Sequence, residues 1–460
     1  MTTRRFDAIV LGAGQAGPSL AGRLSAAGMS VALVERKFFG GTCVNTGCMP
    51  TKTLVASARA AHVVRRARDY GVILNGTFDI DMRTVKGRAQ TVATNARNNV
   101  EKWLRSMERC TVVQGHARFE SHDTVVVGEE RLSAERIFIN VGGRANIPPL
   151  PGVDRIPFLT NTSMLEVDTL PPHLVVIGGS YIGLEFAQMY RRFGSKVTVI
   201  EKGPRLIARE DEEISDAIKE ILEGEGVEFR LGAECMAFET NAEGVTVRLD
   251  CASGDRRVTG SHVLLAVGRR PNTDDLGLDR AGVAVDKRGY VVVDDELRTN
   301  VPGIWAMGDC NGRGAFTHTS YNDFEIIAAN LLDNDPRRVT DRIPCYALYV
   351  DPPLGRAGLT ESEVRKTGKP YLVGKRPMTR VGRAVEKGET QGFMKVVVDA
   401  ATKKILGAAI LGIEGDEAIH GILDTMYADA PYTTLQRSVA IHPTVSELIP
   451  TMLGELKPGT

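Results

Sequence analysis

Short apolar runs, separated by glycine-rich turns and amphipathic segments, organise the first part of this chain. One apolar run covers residues 7–10, and a glycine-rich turn and a helical pattern through Leu24 follow it. Gly28 ends the helical pattern, and a second apolar run at residues 31–34 begins three residues later. This order predicts a strand, a helix and a second strand parallel to the first, which is a βαβ unit.

The same pattern returns in the middle of the chain and then changes near Asp341. Residues 174–177 and 197–200 are apolar runs on either side of a glycine-rich turn and a helical pattern. Beyond Asp341 short strand patterns predominate, at residues 345–350, 393–398 and 405–411. The chain is therefore predicted to be an α/β protein with two Rossmann-like units and a C-terminal α+β region.

The turn of the first unit has glycines at the spacing of a dinucleotide-binding fingerprint. Gly12, Gly14 and Gly17 form G-x-G-x-x-G between a strand and a helix, and Glu35 ends the second strand. Such glycines let the backbone approach a pyrophosphate at a helix N-terminus, and the acid accepts hydrogen bonds from ribose hydroxyls. A tight turn without a ligand is the alternative for the glycines alone.

The second unit repeats this arrangement with one departure. Gly178, Gly179 and Gly183 lie in its turn, Ser180 takes the place of the middle glycine, and Glu201 ends the following strand. The same constellation twice in one chain implies two bound dinucleotides, between which a hydride can pass.

The nucleotide preference of the second unit depends on Glu201. An acid at this strand end binds the 2′-hydroxyl of NAD(H) and repels the 2′-phosphate of NADP(H), so we expect NADH to be favoured. Lys202 and Arg205 lie close by in the sequence and leave NADPH open, because either could hold a phosphate.

Cys43 and Cys48 lie five positions apart in the stretch after the first unit. On a regular helix, which rises about 1.5 Å per residue, such a pair points to different sides. We therefore expect an irregular turn after the glycines at 40–41, with helix only from about Pro50. Cys48 would then lie at a helix N-terminus, where the dipole favours a thiolate. This predicts a redox-active pair; two unrelated buried thiols are the alternative.

Composition excludes several classes of partner. Lysine plus arginine and aspartate plus glutamate each total 57 in the 460 residues, so the net charge gives no reason to expect nucleic acid or an anionic membrane. No apolar run reaches the ~18–20 residues that span a bilayer. The opening MTTRRFDAIV enters a strand without a secretory pattern, so we expect a cytoplasmic protein.

The stretch GGTCVNTGCMPTK at residues 40–52 resembles the redox-active disulfide motif of the pyridine nucleotide–disulfide oxidoreductases. That family includes dihydrolipoamide dehydrogenase, glutathione reductase and mercuric reductase, and the resemblance covers essentially the whole chain. It implies an FAD-dependent NAD(P)H disulfide oxidoreductase, a homodimer with a Cys43–Cys48 disulfide, FAD at the first glycine turn and NAD(P)H at the second. It also implies FAD-binding parts at 1–145 and 271–340, an NAD(P)-binding domain at 146–270 and an interface domain at 341–460.

Further roles follow from the resemblance, position by position. Lys52 is expected near the flavin, paired with Glu185, and Tyr181 is expected to be an aromatic lid on the nicotinamide side. Asp309, in TNVPGIWAMGD, is expected to bind the ribityl chain of FAD. An exposed helix charge is the alternative for Glu185, and an ordinary Gly-Asp turn is the alternative for Asp309. The remaining expected cofactor contacts are Gly41, Thr42 and Gly143 for FAD, and Ile182 and Gly268 for NAD(P).

The last constellation is His442-Pro443 followed by Glu447. An imidazole titrates near neutrality and carries the proton that thiol–disulfide exchange needs, and a nearby glutamate fixes its tautomer through the other nitrogen. In disulfide-reducing members of the family such a pair reaches the redox cysteines of the other subunit.

The sequence leaves the electron acceptor open. A small disulfide or dithiol, such as lipoamide, is the first hypothesis, and a mercuric or cupric ion is the second, because VNTGCMPTKT also resembles mercuric-reductase-like flavoproteins and soft thiolates bind such ions. Against mercury, the chain ends ELKPGT without a cysteine pair and has no N-terminal Cys-x-x-Cys. A component of a larger complex whose flavin is mainly structural is a third hypothesis. No resident metal ion is predicted, and Cys110, Cys235, Cys251, Cys310 and Cys345 receive no catalytic role.

Overall fold

The computed structural model describes residues 3–242, 244–250 and 256–459. Cys251 lies outside these ranges, and the side chain of Cys235 is likewise not described. The inert character expected for these two cysteines therefore stays a prediction.

The first unit is built on a seven-stranded sheet with the order β3-β2-β1-β6-β5-β4 and with β16 also paired to β6. The central strands are parallel and buried on both faces, which is why β2 reads VALVE with all five residues buried. Its elements are β1 Thr3–Leu11, α1 Ala16–Ala26, β2 Val31–Glu35, α2 Gly41–Thr46, α3 Cys48–Arg65, α4 Met82–Ser106, β3 Cys110–Gln114, β4 Ala117–Phe119, β5 Thr124–Val127, β6 Glu130–Ile139 and β7 Gly143–Ala145.

The second unit has a four-stranded parallel sheet with the order β10-β9-β8-β14, beside a three-stranded antiparallel sheet, β11-β12-β13. Its last strand, β15, returns to the first unit and pairs antiparallel with β7. Its elements are α5 Asn161–Met164, β8 His173–Ile177, α6 Tyr181–Phe193, β9 Lys196–Ile200, α7 Glu212–Gly224, β10 Val227–Arg230, β11 Cys235–Asn241, β12 Gly244–Asp250, β13 Arg257–Gly260, β14 His262–Leu265 and β15 Arg269–Pro271.

The chain then completes the first sheet and ends in a six-stranded antiparallel sheet with the order β17-β18-β21-β20-β19-β22. Two elements of the first unit come first, β16 Ile304–Ala306 and α8 Thr317–Ala328. The C-terminal sheet and its helices are β17 Cys345–Leu348, β18 Leu354–Gly358, α9 Glu361–Lys366, β19 Tyr371–Pro377, α10 Gly382–Glu386, β20 Phe393–Asp399, β21 Ile405–Leu411, α11 Gly415–Ala418, α12 His420–Tyr427, α13 Thr433–Gln436, α14 Ile449–Leu453 and β22 Lys457–Pro458. The predicted fold class, two Rossmann-like units and a C-terminal α+β region, is confirmed.

The segment around the two cysteines differs from the prediction. Instead of an irregular turn up to Pro50, it forms two helices, α2 and α3, that meet at Gly47. Gly47 has φ −134° and ψ −122°, and a Cβ there would come within 2.8 Å of Thr42 O. The break at Gly47 turns the chain, so Cys43 and Cys48 lie on separate helices, and Cys48 begins α3 two residues before Pro50.

A buried ion pair joins the second unit to the C-terminal sheet. Arg356 on β18 and Glu210 are each 2% exposed and contact each other through Nη2 and Oε2. Tyr346 lies opposite Arg356 on β17 and donates its hydroxyl to Glu210 Oε1 at 2.6 Å. Both carboxylate oxygens of Glu210 are therefore satisfied in a site without exposed surface.

We predict that Arg356→Met destabilises the protein by about 3–5 kcal/mol, because it leaves the Glu210 carboxylate buried without a cation. The measurement is the free energy of unfolding from denaturant titration. Arg4→Ala is the matched control: the Arg4 and Glu130 side chains are 46% and 49% exposed, so its loss should cost at most about 1 kcal/mol. Equal effects of the two substitutions would contradict the prediction.

Candidate functional site

The glycine turn of the first unit leaves room for a ligand in front of α1. Gly12 has φ +107°, and a Cβ there would lie 2.3 Å from Asn140 O; a Cβ on Gly17 would lie 2.2 Å from Gly12 O. These two glycines are required by the packing of the turn itself. A Cβ on Gly14 would meet nothing closer than the Asn140 side chain at 3.5 Å, so the space beside Gly14 is open to a group outside the chain. The turn therefore fits a pyrophosphate at the N-terminus of α1.

The turn of the second unit repeats this geometry. Gly178 has φ +112°, and a Cβ there would lie 2.4 Å from Ala266 O; a Cβ on Gly183 would lie 2.0 Å from Gly178 O. Ser180, at the middle position, is exposed at the N-terminus of α6 and makes no capping hydrogen bond there. Its small side chain therefore leaves the N-terminus of α6 accessible.

Glu35 and Glu201 are held in the same way at the ends of β2 and β9. Glu35 accepts from the backbone N–H groups of Ala13 at 2.9 Å and Lys37 at 2.7 Å. Glu201 accepts from those of Gly179 at 2.6 Å and Gly203 at 2.7 Å. A carboxylate has about four lone-pair sites, so each acid retains capacity for ribose hydroxyls. Gly179 is also tightly placed, because a Cβ on it would lie 2.6 Å from the Leu206 side chain.

The cysteine segment packs directly on the first glycine turn. Gly41 has φ +61°, and a Cβ on it would lie 2.7 Å from Gly14 Cα, so only glycine allows this approach. Thr42 and Cys43 follow on α2 and are half-buried, whereas Cys48 at the start of α3 is exposed. Gly41, which is expected to contact FAD, and Cys43, which is expected to meet the substrate, are thus only a few residues apart.

The two cysteines are not joined by a disulfide in this structure, and they have opposite electrostatic environments. A hydrogen bond with Cys43 lowers the pKa of Cys48 to about 6, and a hydrogen bond with Thr317 and the charge of Lys52 lower it further. Although Cys48 has exposed surface, the atoms around its sulfur partly desolvate it, which opposes this lowering. The same hydrogen bond, together with burial, raises the pKa of Cys43 well above its usual range. These opposite shifts favour the negative charge of a reduced pair on Cys48 and the proton on Cys43.

Lys52, one turn beyond Cys48 on α3, lies between two other parts of the chain. Its Nζ donates to Glu185 Oε2 at 2.7 Å and lies 4.6 Å from the centre of the Tyr349 ring. Glu185 on α6 is 5% exposed, and its Oε1 accepts from the backbone N–H of Tyr349 at 3.0 Å. Glu185 is therefore a buried and paired acid, and the alternative of an exposed helix charge is excluded.

A cavity of about 500 Å³ has Asp309 in its wall, together with residues that precede and begin α8. Burial raises the pKa of Asp309, and Arg269 Nε lies 3.7 Å from Asp309 Oδ2, beyond hydrogen-bond distance. A carboxylate in such a position fits a polyol chain that donates hydroxyl hydrogens to it. Gly143 also lines the cavity, and Gly268, with φ +96°, has no atom within 4 Å of a Cβ placed on it.

An aromatic cluster closes one side of this cavity. The Tyr181 ring meets the Tyr346 ring edge-on at 5.6 Å and the Phe316 ring at 6.3 Å, and Phe316 stacks on Tyr346 at 5.6 Å. Arg209 lies 5.3 Å above the Tyr181 ring, and burial raises the pKa of Tyr181 to about 12. Ile182, next to Tyr181, is half-buried against the core of the second unit. Tyr346 was not found by sequence reasoning, because no local pattern links position 346 to position 181.

His442 and Glu447 are paired but stand apart from the cysteines. His442 Nδ1 lies 2.9 Å from Glu447 Oε2, and the His442 side chain is 81% exposed. Within the described part of the chain, the hydrogen bond of His442 is to Glu447 and not to either cysteine.

No group of three or more His, Cys, Asp or Glu side chains in residues 3–242, 244–250 and 256–459 is placed to hold a metal ion. In those ranges no helix combines the length and apolar character needed to cross a membrane.

Comparison with known proteins relates this site to a family. Residues 6–323 match the family model described as pyridine nucleotide-disulphide oxidoreductase, and residues 345–453 match its dimerisation domain. The chain is 35% identical to the probable pyridine nucleotide-disulfide oxidoreductase RclA of Escherichia coli K12, over 98% of this chain and 100% of that protein. It is 31% identical to the dihydrolipoyl dehydrogenase of Chlamydia muridarum, over 96% of this chain and 95% of that protein.

A solved structure agrees with the sequence matches. The Cu(II) complex of the HOCl-induced flavoprotein disulfide reductase RclA from Escherichia coli superposes with a TM-score of 0.89 at 34% identity, covering 98% of this chain and 99% of that one. Both domains of the family are thus matched in order and over nearly the whole length. This protein is therefore a member of the pyridine nucleotide-disulphide oxidoreductase family, a flavoprotein disulfide reductase that uses FAD and a pyridine nucleotide.

Proposed function

We propose that this enzyme passes electrons from NAD(P)H through the Cys43–Cys48 pair to a small disulfide substrate, or in the reverse direction takes them from a small dithiol. The observation that carries the proposal is the contrast between the two thiols. Cys48 is exposed at a helix start with a lowered pKa, and its neighbour Cys43 has a raised one. Such a pair has one sulfur prepared to hold charge and one prepared to keep its proton.

The proposed roles of the two sulfurs follow from this contrast. FAD and the pyridine nucleotide, when bound, supply hydride transfer and the electron pair that opens the disulfide. After loss of its proton, Cys43 attacks a sulfur of the substrate, a mixed disulfide forms, and one substrate thiol leaves with a proton. The Cys48 thiolate then attacks the Cys43 sulfur of the mixed disulfide, which restores the Cys43–Cys48 disulfide and releases the second substrate sulfur as a thiolate that takes a proton from solvent.

The cofactor-binding residues of this proposal are those whose geometry fits each group. Gly12, Gly14, Gly17, Glu35 and Asp309 would hold FAD, with Lys52 as a fixed cation near the flavin and Glu185 as its buried partner. The second glycine turn with Glu201 would hold the nucleotide, and Tyr181 would cover the nicotinamide side. The domain limits proposed with these roles are 1–145 and 271–340 for FAD, 146–270 for NAD(P) and 341–460 for the interface.

The active site is proposed to be shared between two subunits of a homodimer. His442 is exposed next to Ile441, which is 79% exposed, and close to Val439, which is 99% exposed. An apolar surface beside a catalytic-type histidine, in a chain with a dimerisation domain, supports burial of this segment by a second copy. His442 of the partner subunit, oriented by its glutamate, would then take the proton from Cys43 and return it to the leaving thiol.

A metal ion is the alternative acceptor, and one observation favours it. The similar Escherichia coli protein is known as a Cu(II) complex, including a complex of its C43S mutant. Thiolates at Cys43 and Cys48 are soft ligands that suit copper or mercury. A rate of metal-ion reduction that does not change when His442 is replaced would distinguish this reaction from disulfide reduction. A cytoplasmic location is proposed with either acceptor, because a cycling dithiol needs a reducing compartment.

Cys43→Ser should reduce disulfide turnover to the rate without enzyme, because the attacking sulfur is removed. NADH should still bleach the bound flavin, since that step does not involve Cys43. Anaerobic absorbance spectra and turnover of a panel of small disulfides measure the two effects. Cys345→Ser is the control and should keep full turnover. Residual disulfide turnover in Cys43→Ser would overturn the assigned role.

His442→Ala should lower disulfide turnover by roughly 10²–10⁴-fold, the usual contribution of a general acid–base. The exposed His122 provides the control, and His122→Ala should leave turnover unchanged. A mixture of Cys43→Ser and His442→Ala subunits tests sharing directly, because a heterodimer would contain one complete site. Recovery of turnover on mixing supports the shared site, and its absence contradicts it.

The kcat/KM with NADH should be about tenfold or more above that with NADPH, because the Glu201 carboxylate repels a 2′-phosphate. A tenfold ratio corresponds to a difference of about 1.4 kcal/mol in activation free energy. Arg205→Ala should lower kcat/KM for NADPH and leave that for NADH unchanged. Steady-state kinetics with both nucleotides provides the measurement. An advantage for NADPH in the unmodified enzyme would refute this preference.

A further inference from the structure

Thr317 is held in place at the first position of α8 by its neighbours. Thr319 Oγ1 accepts from the Phe316 backbone N–H at 3.1 Å, which fixes the start of the helix. The Phe316 ring stacks on the His318 ring at 5.3 Å, and His318 Nε2 lies 2.8 Å from the carbonyl oxygen of Cys345. The residues on both sides of Thr317 are therefore anchored, and its hydroxyl has a defined position.

The Thr317 hydroxyl contacts the sulfur of the cysteine that holds the thiolate. Thr317 Oγ1 lies 3.2 Å from Cys48 Sγ. A thiolate has lone pairs and no proton, so in the ionised state the hydroxyl must be the donor. The two residues are 269 positions apart in the chain, and the contact exists because the starts of α3 and α8 meet at this sulfur. The positive ends of both helix dipoles then face one negative charge.

We propose that Thr317 is a catalytic residue that donates a hydrogen bond to the Cys48 thiolate and so keeps the charge of the reduced pair on Cys48. The inference rests on the proposed function, because it concerns the dithiol state of that reaction. A hydrogen bond that is made only to the ionised sulfur stabilises the thiolate without stabilising the thiol. The hydrogen bond with Cys48 and burial raise the pKa of Cys43 against a smaller opposing effect of Thr317, so Cys43 keeps its proton until a base removes it.

The hydrogen bond also affects each exchange step. A sulfur of lower pKa leaves faster from a disulfide, and it attacks more slowly once ionised. Donation from Thr317 thus assists the opening of the Cys43–Cys48 disulfide at its Cys48 sulfur. The lowered pKa of Cys48 is consistent with this geometry, since the hydrogen bonds from Cys43 and Thr317 and the charge of Lys52 all favour ionisation.

The test is the pH dependence of Cys48 alkylation in the flavin-bound, reduced protein. Cys43→Ser serves as the background, because it leaves Cys48 as the single sulfur of the pair and keeps a donor at position 43. Iodoacetamide labels the thiolate, and mass spectrometry reads the peptide that contains Cys48. Reactivity is lost as the pH falls through the pKa of Cys48, so the midpoint of the profile reports that pKa.

Thr317→Val should raise the midpoint by about one pH unit, the size expected for loss of a hydrogen bond to a charged group. Thr317→Ser keeps the hydroxyl and should restore the original midpoint. Thr317→Ala provides a second variant without the hydroxyl, and the flavin spectrum and thermal midpoint identify any variant that fails to fold. If Thr317 had a purely structural role, the midpoint would not follow the presence of the hydroxyl, which Thr317→Val and Thr317→Ala lack and Thr317→Ser keeps.

Two contrary outcomes are distinguishable. A low midpoint in the background that stays unchanged in Thr317→Val overturns the role of Thr317 and leaves the proposed function standing. A midpoint at about 8.5 in the Cys43→Ser background is the ordinary pKa of a cysteine thiol. It would contradict the thiolate on Cys48 and with it the proposed roles of the two cysteines.

Discussion

The buried carboxylate of Glu185 connects the three parts of the protein on which the site depends. It belongs to α6 of the second unit, and it accepts from Lys52 on the cysteine helix and from the backbone of Tyr349 at the start of the C-terminal sheet. A carboxylate that is 5% exposed must have partners, so each of these elements is held at the position where it can donate. The position of α3, and with it that of Cys48, follows from this one group.

A second carboxylate reinforces the same junction. Asp351 accepts from Arg59 on α3 and from Arg192 on α6, and its backbone N–H donates to Gln188. Burial alone would raise the pKa of Asp351, but the charges and hydrogen bonds of Arg192 and Arg59 together lower it. The cysteine helix is therefore fixed at two points along its length, which suits a segment that must stay in register through a cycle of bond breaking and formation.

Much of the architecture could be predicted because its causes are local. The strand–turn–helix sequence around Gly12 and Gly178 has a direct steric basis, and the two turns are alike to within a few tenths of an ångström in their closest contacts. The cysteine segment was predicted less well: the start of a helix at Cys48 was expected, but helix α2 was not. The six residues of α2, GTCVNT, all have weak helix propensity, and α2 is stabilised by its contact with the turn at Gly14.

The groups that sequence reasoning missed act over long distances in the chain. Tyr346 reaches Tyr181, Arg356 reaches Glu210, and Thr317 reaches Cys48, and in each case the partners come from different sheets or helices. No hydrophobic period or turn motif encodes such a contact, since it exists only once the units have packed. The positions of His442 and Glu447 relative to each other are local and were predicted.

The proposed function depends on the entry of electrons from the pyridine nucleotide into the Cys43–Cys48 pair. Its most direct measurement is anaerobic addition of one equivalent of nucleotide per subunit to the air-oxidised enzyme, followed by rapid alkylation and mass spectrometry of the peptide with both cysteines. Neither cysteine should be labelled before reduction, and both should become labelled as the nucleotide is oxidised. Equal labelling before and after reduction would show that the pair takes no part in electron transfer.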